Sequence, residues 1–157
     1  MSIDNGAKQR VSNAIAKLPL FAAVVALVGL ADSVYLTIHH YNAAPVPCGA
    51  AFDCEMVLTS PYAMVGGIPL AAFGAAAYFI AFSLALLAAY GYHRTWTIFG
   101  IQTVLMAAFT CWLIYVQAVL IHAFCQFCLI SAATTATLLI LFLASVVFGR
   151  RQARTSV

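Results

Sequence analysis

Four of the five cysteines in this chain fall into two pairs whose spacing suits sulfur chemistry. Cys125 and Cys128 lie in "AFCQFCLIS" (123–131), and Cys48 and Cys54 lie in "VPCGAAFDCEM" (46–56). A Cys-x-x-Cys at the start of a helix meets unpaired amide N–H groups and the positive end of the helix dipole, which together stabilise a thiolate at the leading cysteine. The thiolate is the attacking species in thiol–disulfide exchange, so Cys125 is biased towards reactivity. Burial in an apolar phase opposes ionisation of a thiol, so such a pair belongs near an interface or beside a polar group. Two other chemistries use the same sulfurs. Cys48, Cys54, Cys125 and Cys128 together make a possible all-thiolate zinc set, although the five residues between Cys48 and Cys54 exceed the usual two to four. Two structural disulfides are the plainer alternative. Cys111 stands alone in an apolar run, where a cysteine packs as a small hydrophobe.

The elements that must position these sulfurs are membrane helices. Of 157 residues, 65% are hydrophobic and only 7% charged, and mean hydropathy is +1.02. A water-soluble domain carries far more charge. Four apolar stretches, near 18–40, 67–90, 96–118 and 123–148, each reach the roughly 20 residues that a bilayer crossing needs. The expected fold is an all-α membrane protein, a four-transmembrane-helix bundle with no separate soluble domain.

Charge sets the expected orientation. Lys8, Arg10 and Lys17 precede the first stretch, Arg94 separates the second and third, and Arg150, Arg151 and Arg154 follow the fourth. With four crossings these segments share one side. The other side receives the 41–66 loop and a short turn near 119–123, with Asp53 and Glu55 but neither Lys nor Arg. The positive-inside rule puts both termini in the cytoplasm and the cysteine pairs on the extracytoplasmic side, an oxidising compartment. The expected division is a cytoplasmic tail (1–17), a four-helix domain (18–148) with a periplasmic loop (41–66), and a second cytoplasmic tail (149–157). The net charge of +3 is anchoring charge for anionic lipid headgroups and gives no indication of nucleic-acid binding. A cleavable signal peptide competes for residues 1–31, but the apolar pattern runs past Ala31 to Ile38, long for such a segment.

With the cysteines placed, the chain resembles the bacterial form of the vitamin K epoxide reductase family. The resemblance rests on an order of features: "GLADSVYLTIHHY" (29–41) closing the first span, Cys48 and Cys54 in the loop, Ser60, "GGIPLAAFGAAAY" (66–78) opening the second span, and Cys125/Cys128 opening the fourth. It covers about 18–148. It implies a bundle around a quinone pocket, in a bacterial inner membrane, with ubiquinone or menaquinone as electron acceptor. It also implies a periplasmic thioredoxin-like thiol oxidase as partner, separate here because the chain stops at Val157, and a role in disulfide-bond formation. On the family pattern Cys48 and Cys54 form the shuttle pair that exchanges with the partner. Cys54 attacks the Cys125–Cys128 disulfide through a Cys54–Cys125 intermediate, and Cys128 faces the quinone. Ser60 matches a hydroxyl near the pocket. Some relatives carry Tyr four residues after the second cysteine of the Cys-x-x-Cys; here that position is Ala132. No metal ligand is assigned.

A quinone site also needs polar groups and a route for protons. Asp32 is the one acid inside a span, and intramembrane ionisable residues are functional candidates. At about 100° per residue, Asp32, Tyr35 and His39 share one stripe of the first helix, suited to proton delivery, to bonding a quinone, or to a packed contact that fixes helix register. Phe124 and Phe127 are placed to stack on a quinone ring, a role that Phe at a lipid interface does not require. His40 and His122 are expected at the interface, with His93 in the cytoplasmic turn. Gly66, Gly67, Ala71, Ala72, Gly74 and Ala75 to Ala77 are expected to permit close helix packing, and Pro69 suits the first turn of a helix.

Overall fold

The computed structural model describes residues 3–43 and 45–155. In apolar surroundings the backbone must satisfy its own hydrogen bonds, which long apolar runs do as helices. The chain forms α1 (Ile3–Tyr41), a short α2 (Cys54–Leu58), a 3-10 turn (Pro61–Ala63), a two-stranded hairpin of β1 (Met64–Val65) and β2 (Ile68–Pro69), α3 (Leu70–Ala89), α4 (His93–Tyr115) continued by a π turn (Val116–Ile121), and α5 (Gln126–Thr155). Among the described residues, four segments are long and apolar enough to cross a membrane: Lys17–Tyr41, Leu70–Ala89, Arg94–Ile121 and Gln126–Arg150. The four-helix membrane bundle expected from the sequence is therefore present.

α1 packs along α3 and α5, and α4 packs along the same two helices, so α3 and α5 face each other across the bundle. The shared core is built on small residues that let backbones approach, Ala22, Ala23 and Ala26 of α1 against Ala81 and Ala85 of α3. Tyr78, Phe99 and Leu138 fill the space between them. The Tyr78 ring lies directly against Gly29, where a Cβ would collide with it. At the arginine-bearing end, Trp96 stacks on Phe99 at 4.7 Å and donates to Ser145 Oγ at 2.8 Å. The outer surface carries large apolar side chains such as Leu20, Phe79, Leu105 and Ile140, as a lipid-facing bundle requires.

Several boundaries differ from the sequence expectation. The second span opens at Leu70, not 67, because Met64–Val65 pairs with Ile68–Pro69 and Gly66 and Gly67 turn the hairpin at φ of +60° and +84°. Those two glycines therefore serve a turn and have no helix neighbour, whereas Gly74 does meet Ser33, whose Oγ would lie 3.1 Å from an added Cβ. Pro69 caps α3 at φ −63° and ψ 139° instead of entering its first turn. The third span continues through the π turn to Ile121, and the chain then reverses at His122 in a left-handed conformation (φ +57°). The fourth span starts at Gln126, which leaves Cys125 just outside the helix. Cys111 is exposed on α4 and is therefore not the buried small hydrophobe expected from the sequence. The helices of α1 and α5 extend into the expected tails, from Ile3 and to Thr155.

Candidate active site

The four paired cysteines meet at one end of the bundle. Cys48 and Cys54 are joined in a disulfide, with their Cα atoms 6.2 Å apart. Cys125 and Cys128 are free thiols. Cys54 opens α2, whose N-terminus is capped by the Asp53 carboxylate accepting from the Met56 amide at 3.0 Å. The Asp53 amide donates to the Phe124 carbonyl at 3.1 Å, holding that capped turn against the segment that leads into α5. The result is a buried cluster in which Cys54 and Cys125 pack together with Val57, Val116, Ile121 and Ala123, while Cys48 and Cys128 lie at its margin. Because the loop sulfurs are bonded to each other, the four-thiolate metal set is not assembled.

Cys125 caps α5. The Cys128 amide donates to the Cys125 sulfur at 3.5 Å, the arrangement of a helix N-cap with sulfur as acceptor. The Cys125 thiol is held below its ordinary value of 9.0, at about 7, first by a hydrogen bond from the Cys128 thiol and further by the Cys128 and Phe127 amides. Burial and the nearby Asp32 carboxyl push the other way without reversing the shift. The Cys125 amide donates to Gln117 Oε1 at 2.9 Å, and Gln117 is itself buried in the π turn. A π turn inside a helix often marks a functional site; here it turns the Gln117 amide onto Cys125. On the loop side the Gly49 amide donates to Gln126 Oε1 at 3.1 Å.

Beneath the sulfurs the bundle encloses a largely apolar cavity of about 780 Å³, within the size range of small-molecule sites. Cys128 lines it; Cys125 does not. Asp32 and His39 of α1 line it, as does Ser60, whose hydroxyl donates to the Val57 carbonyl at 2.7 Å. Tyr35 is set back from the cavity, its ring 4.3 Å from that of His39 and 5.3 Å from that of Phe127. Phe127 packs beside the sulfur cluster, and Phe124 borders a small surface groove with Phe52, Met56 and His122; neither lines the cavity. Of the six expected quinone contacts, Asp32, His39 and Ser60 thus line the cavity, and Tyr35, Phe124 and Phe127 do not.

Ala132 also lines the cavity, next to a phenol supplied from another helix. Tyr78 reaches across from α3, and its hydroxyl donates to the Ser131 carbonyl at 2.6 Å while lying 2.8 Å from the hydroxyls of Thr134 and Thr135. Tyr78, Gln117 and Gln126 were not singled out from sequence. Gln117 carried a signal, an isolated side-chain amide in an apolar run, and Gln126 is an intervening residue of the Cys-x-x-Cys. Nothing local marks Tyr78, because its role depends on a partner more than 50 residues away.

The curated proteins contain no match to this sequence. The family model described as the vitamin K epoxide reductase family matches residues 20–143, which take in all four paired cysteines, Asp32, His39 and the cavity between them; the chain belongs to that family.

Proposed function

We propose that the chain oxidises the dithiol of a separate thioredoxin-like protein outside the cytoplasm and passes the electrons to ubiquinone or menaquinone in a bacterial plasma membrane. Family membership already makes it a quinone-linked thiol–disulfide oxidoreductase. The observation that carries the finer reading is the unequal placement of the sulfurs: Cys54 shares a buried cluster with Cys125, and Cys128 alone of the four lines the cavity.

A thiolate of the partner attacks the Cys48–Cys54 disulfide, and the partner's second thiol closes its own disulfide, leaving Cys48 and Cys54 reduced. The Cys54 thiolate attacks the Cys125 sulfur of a Cys125–Cys128 disulfide, Cys128 departs as thiolate, and a Cys54–Cys125 bond forms. Cys48 then attacks Cys54 and Cys125 departs, which its lowered thiol value favours because a better-stabilised thiolate leaves faster. The loop is again a disulfide and the Cys-x-x-Cys a dithiol, the distribution present in this structure. A quinone in the cavity, when bound, takes up two electrons and two protons as Cys125 and Cys128 close their disulfide. Asp32 lines the cavity with Cys128, and we assign it the uptake of a proton released as the dithiol is oxidised.

Trapping tests the order. Cys48→Ala removes the sulfur that resolves the intermediate, so a Cys54–Cys125 crosslink accumulates and is identified by peptide mass mapping after oxidation. A crosslink from Cys54 to Cys128, or none, overturns the relay.

A further inference from the structure

Residues 123–125 join the π turn to α5 and belong to neither. Their hydrogen bonds alternate in direction, as those along a β-strand do. On one edge the Ala123 amide donates to the Gln117 backbone carbonyl at 3.2 Å, and the Cys125 amide donates to the Gln117 side chain, Oε1, at 2.9 Å. On the other edge the Phe124 carbonyl accepts from the Asp53 amide at 3.1 Å. Gln117, itself buried, thus supplies both acceptors that a neighbouring strand would offer.

The far edge brings the reacting residues level. Asp53 precedes Cys54 and Phe124 precedes Cys125, so their bond sets the two cysteines side by side in one buried cluster. Cys125 is then held at three points. Its carbonyl accepts from the Leu129 amide at 3.1 Å and its sulfur accepts from the Cys128 amide at 3.5 Å, contacts that α5 makes by itself. Among the described residues, the bond to Gln117 is the one hydrogen bond that ties Cys125 to anything outside α5.

That tie bears on which sulfur reacts. A thiolate can attack either sulfur of a disulfide, and the sulfur whose departing thiolate is better stabilised leaves faster. Cys125 forms a well-stabilised thiolate at the helix cap. Acidity on its own therefore favours attack of Cys54 on Cys128, with Cys125 departing. That order would bond Cys54 to the sulfur that lines the cavity. Position has to override acidity, and the position of Cys125 is what Gln117 controls.

We infer that Gln117 is a positioning residue that selects the reacting sulfur: by fixing the Cys125 amide it presents the Cys125 sulfur, and not that of Cys128, to Cys54. This role rests on the relay proposed above and adds the residue that sets its order. In the step so directed, the Cys54 thiolate forms a bond to Cys125, the Cys125–Cys128 bond breaks, and Cys128 takes the electron pair as thiolate.

The trapped intermediate reports the choice. Full-length Cys48→Ala protein, alone or with a change at Gln117, is oxidised with a soluble quinone, quenched with acid and mapped by peptide mass. The ratio of Cys54–Cys125 to Cys54–Cys128 crosslinks does not depend on how fast the Cys-x-x-Cys is oxidised. With Gln117 intact, the Cys54–Cys125 species dominates. Gln117→Met keeps the length and removes the acceptor, and is expected to lower the ratio roughly fivefold, the equivalent of one hydrogen bond. Gln117→Asn, one methylene short of Cys125, shifts it the same way and takes the place of Gln117→Met if that protein does not fold. Gln117→Glu keeps an acceptor at the same reach and restores the ratio. A merely structural glutamine would lower the melting temperature on replacement and leave the ratio alone. An unchanged ratio in folded Gln117→Met or Gln117→Asn protein overturns the role of Gln117 while the relay stands. Cys48→Ala protein that traps Cys54–Cys128, or nothing, with Gln117 intact overturns the relay and the role of Gln117 with it.

Discussion

The Gly49 amide donates a 3.1 Å hydrogen bond to Oε1 of Gln126, tying the residue after Cys48 to the residue after Cys125 across 77 positions of sequence. This contact docks the disulfide loop on the mouth of α5, next to the place where Cys54 must meet Cys125. Among the described residues it is the one hydrogen bond between loop and Cys-x-x-Cys that a side-chain change removes cleanly, since the companion bond from Asp53 to Phe124 is wholly backbone.

Gln126→Ala therefore acts on sulfur transfer and spares the cavity. One hydrogen bond contributes about 1 kcal/mol, so turnover with a dithiol donor is expected to fall several-fold while the KM for quinone stays within twofold. Steady-state kinetics with each substrate varied in turn decides the point. A raised quinone KM with normal turnover would show that Gln126 serves the cavity instead.

Tyr78 ties α3 to α5 one turn below Cys128, through the Ser131 carbonyl and two threonine hydroxyls. Tyr78→Phe leaves those buried groups without their shared partner and is expected to cost about 1–3 kcal/mol, read as a lower melting temperature in detergent. Gly29→Ala, which drives a methyl into the same ring, is expected to cost a similar amount by overpacking. If Tyr78→Phe melts with the wild type, the network has no structural role.

Acidity at Cys125 gives a third expectation. Its thiol lies at about 7, below the ordinary 9.0, so thiolate accumulates as pH rises through about 7. A depressed acid stabilises the folded, reduced protein at high pH: the contribution is complete above about 9 and is lost as pH falls through about 7. Thiolate absorbance in a Cys48→Ala/Cys54→Ala/Cys111→Ala background follows this directly. Cys128→Ala removes the largest cause of the shift and moves the midpoint upwards. A midpoint near 9 with Cys128 intact contradicts the hydrogen-bonded cap.

The fold was legible because lipid leaves the chain few options: apolar runs of bilayer length must be helices, and their number and rough limits follow from hydropathy. Their ends were less legible, because ends are set by local devices. Gly66–Gly67 turn a hairpin that delays α3 to Leu70, and the π turn carries α4 on to Ile121, shifting Cys125 from the first turn of α5 to its cap. At the site, the cysteines declared themselves by spacing, and Asp32 and His39 by helical periodicity within an apolar span. Gln117 and Tyr78 did not, since each earns its place through a hydrogen bond to another element. Cys111 is exposed because the helix period places it outwards, which residue type alone does not reveal.

The central claim is that electrons cross from sulfur to quinone at Cys128, the one paired cysteine that lines the cavity. The direct measurement is quinone reduction by the purified protein with a reduced thioredoxin-like donor, repeated with Cys128→Ala. Quinol formation is expected to be sustained with the wild type and to fall by at least a hundredfold in the variant. Turnover in Cys128→Ala equal to that of the wild type would contradict it.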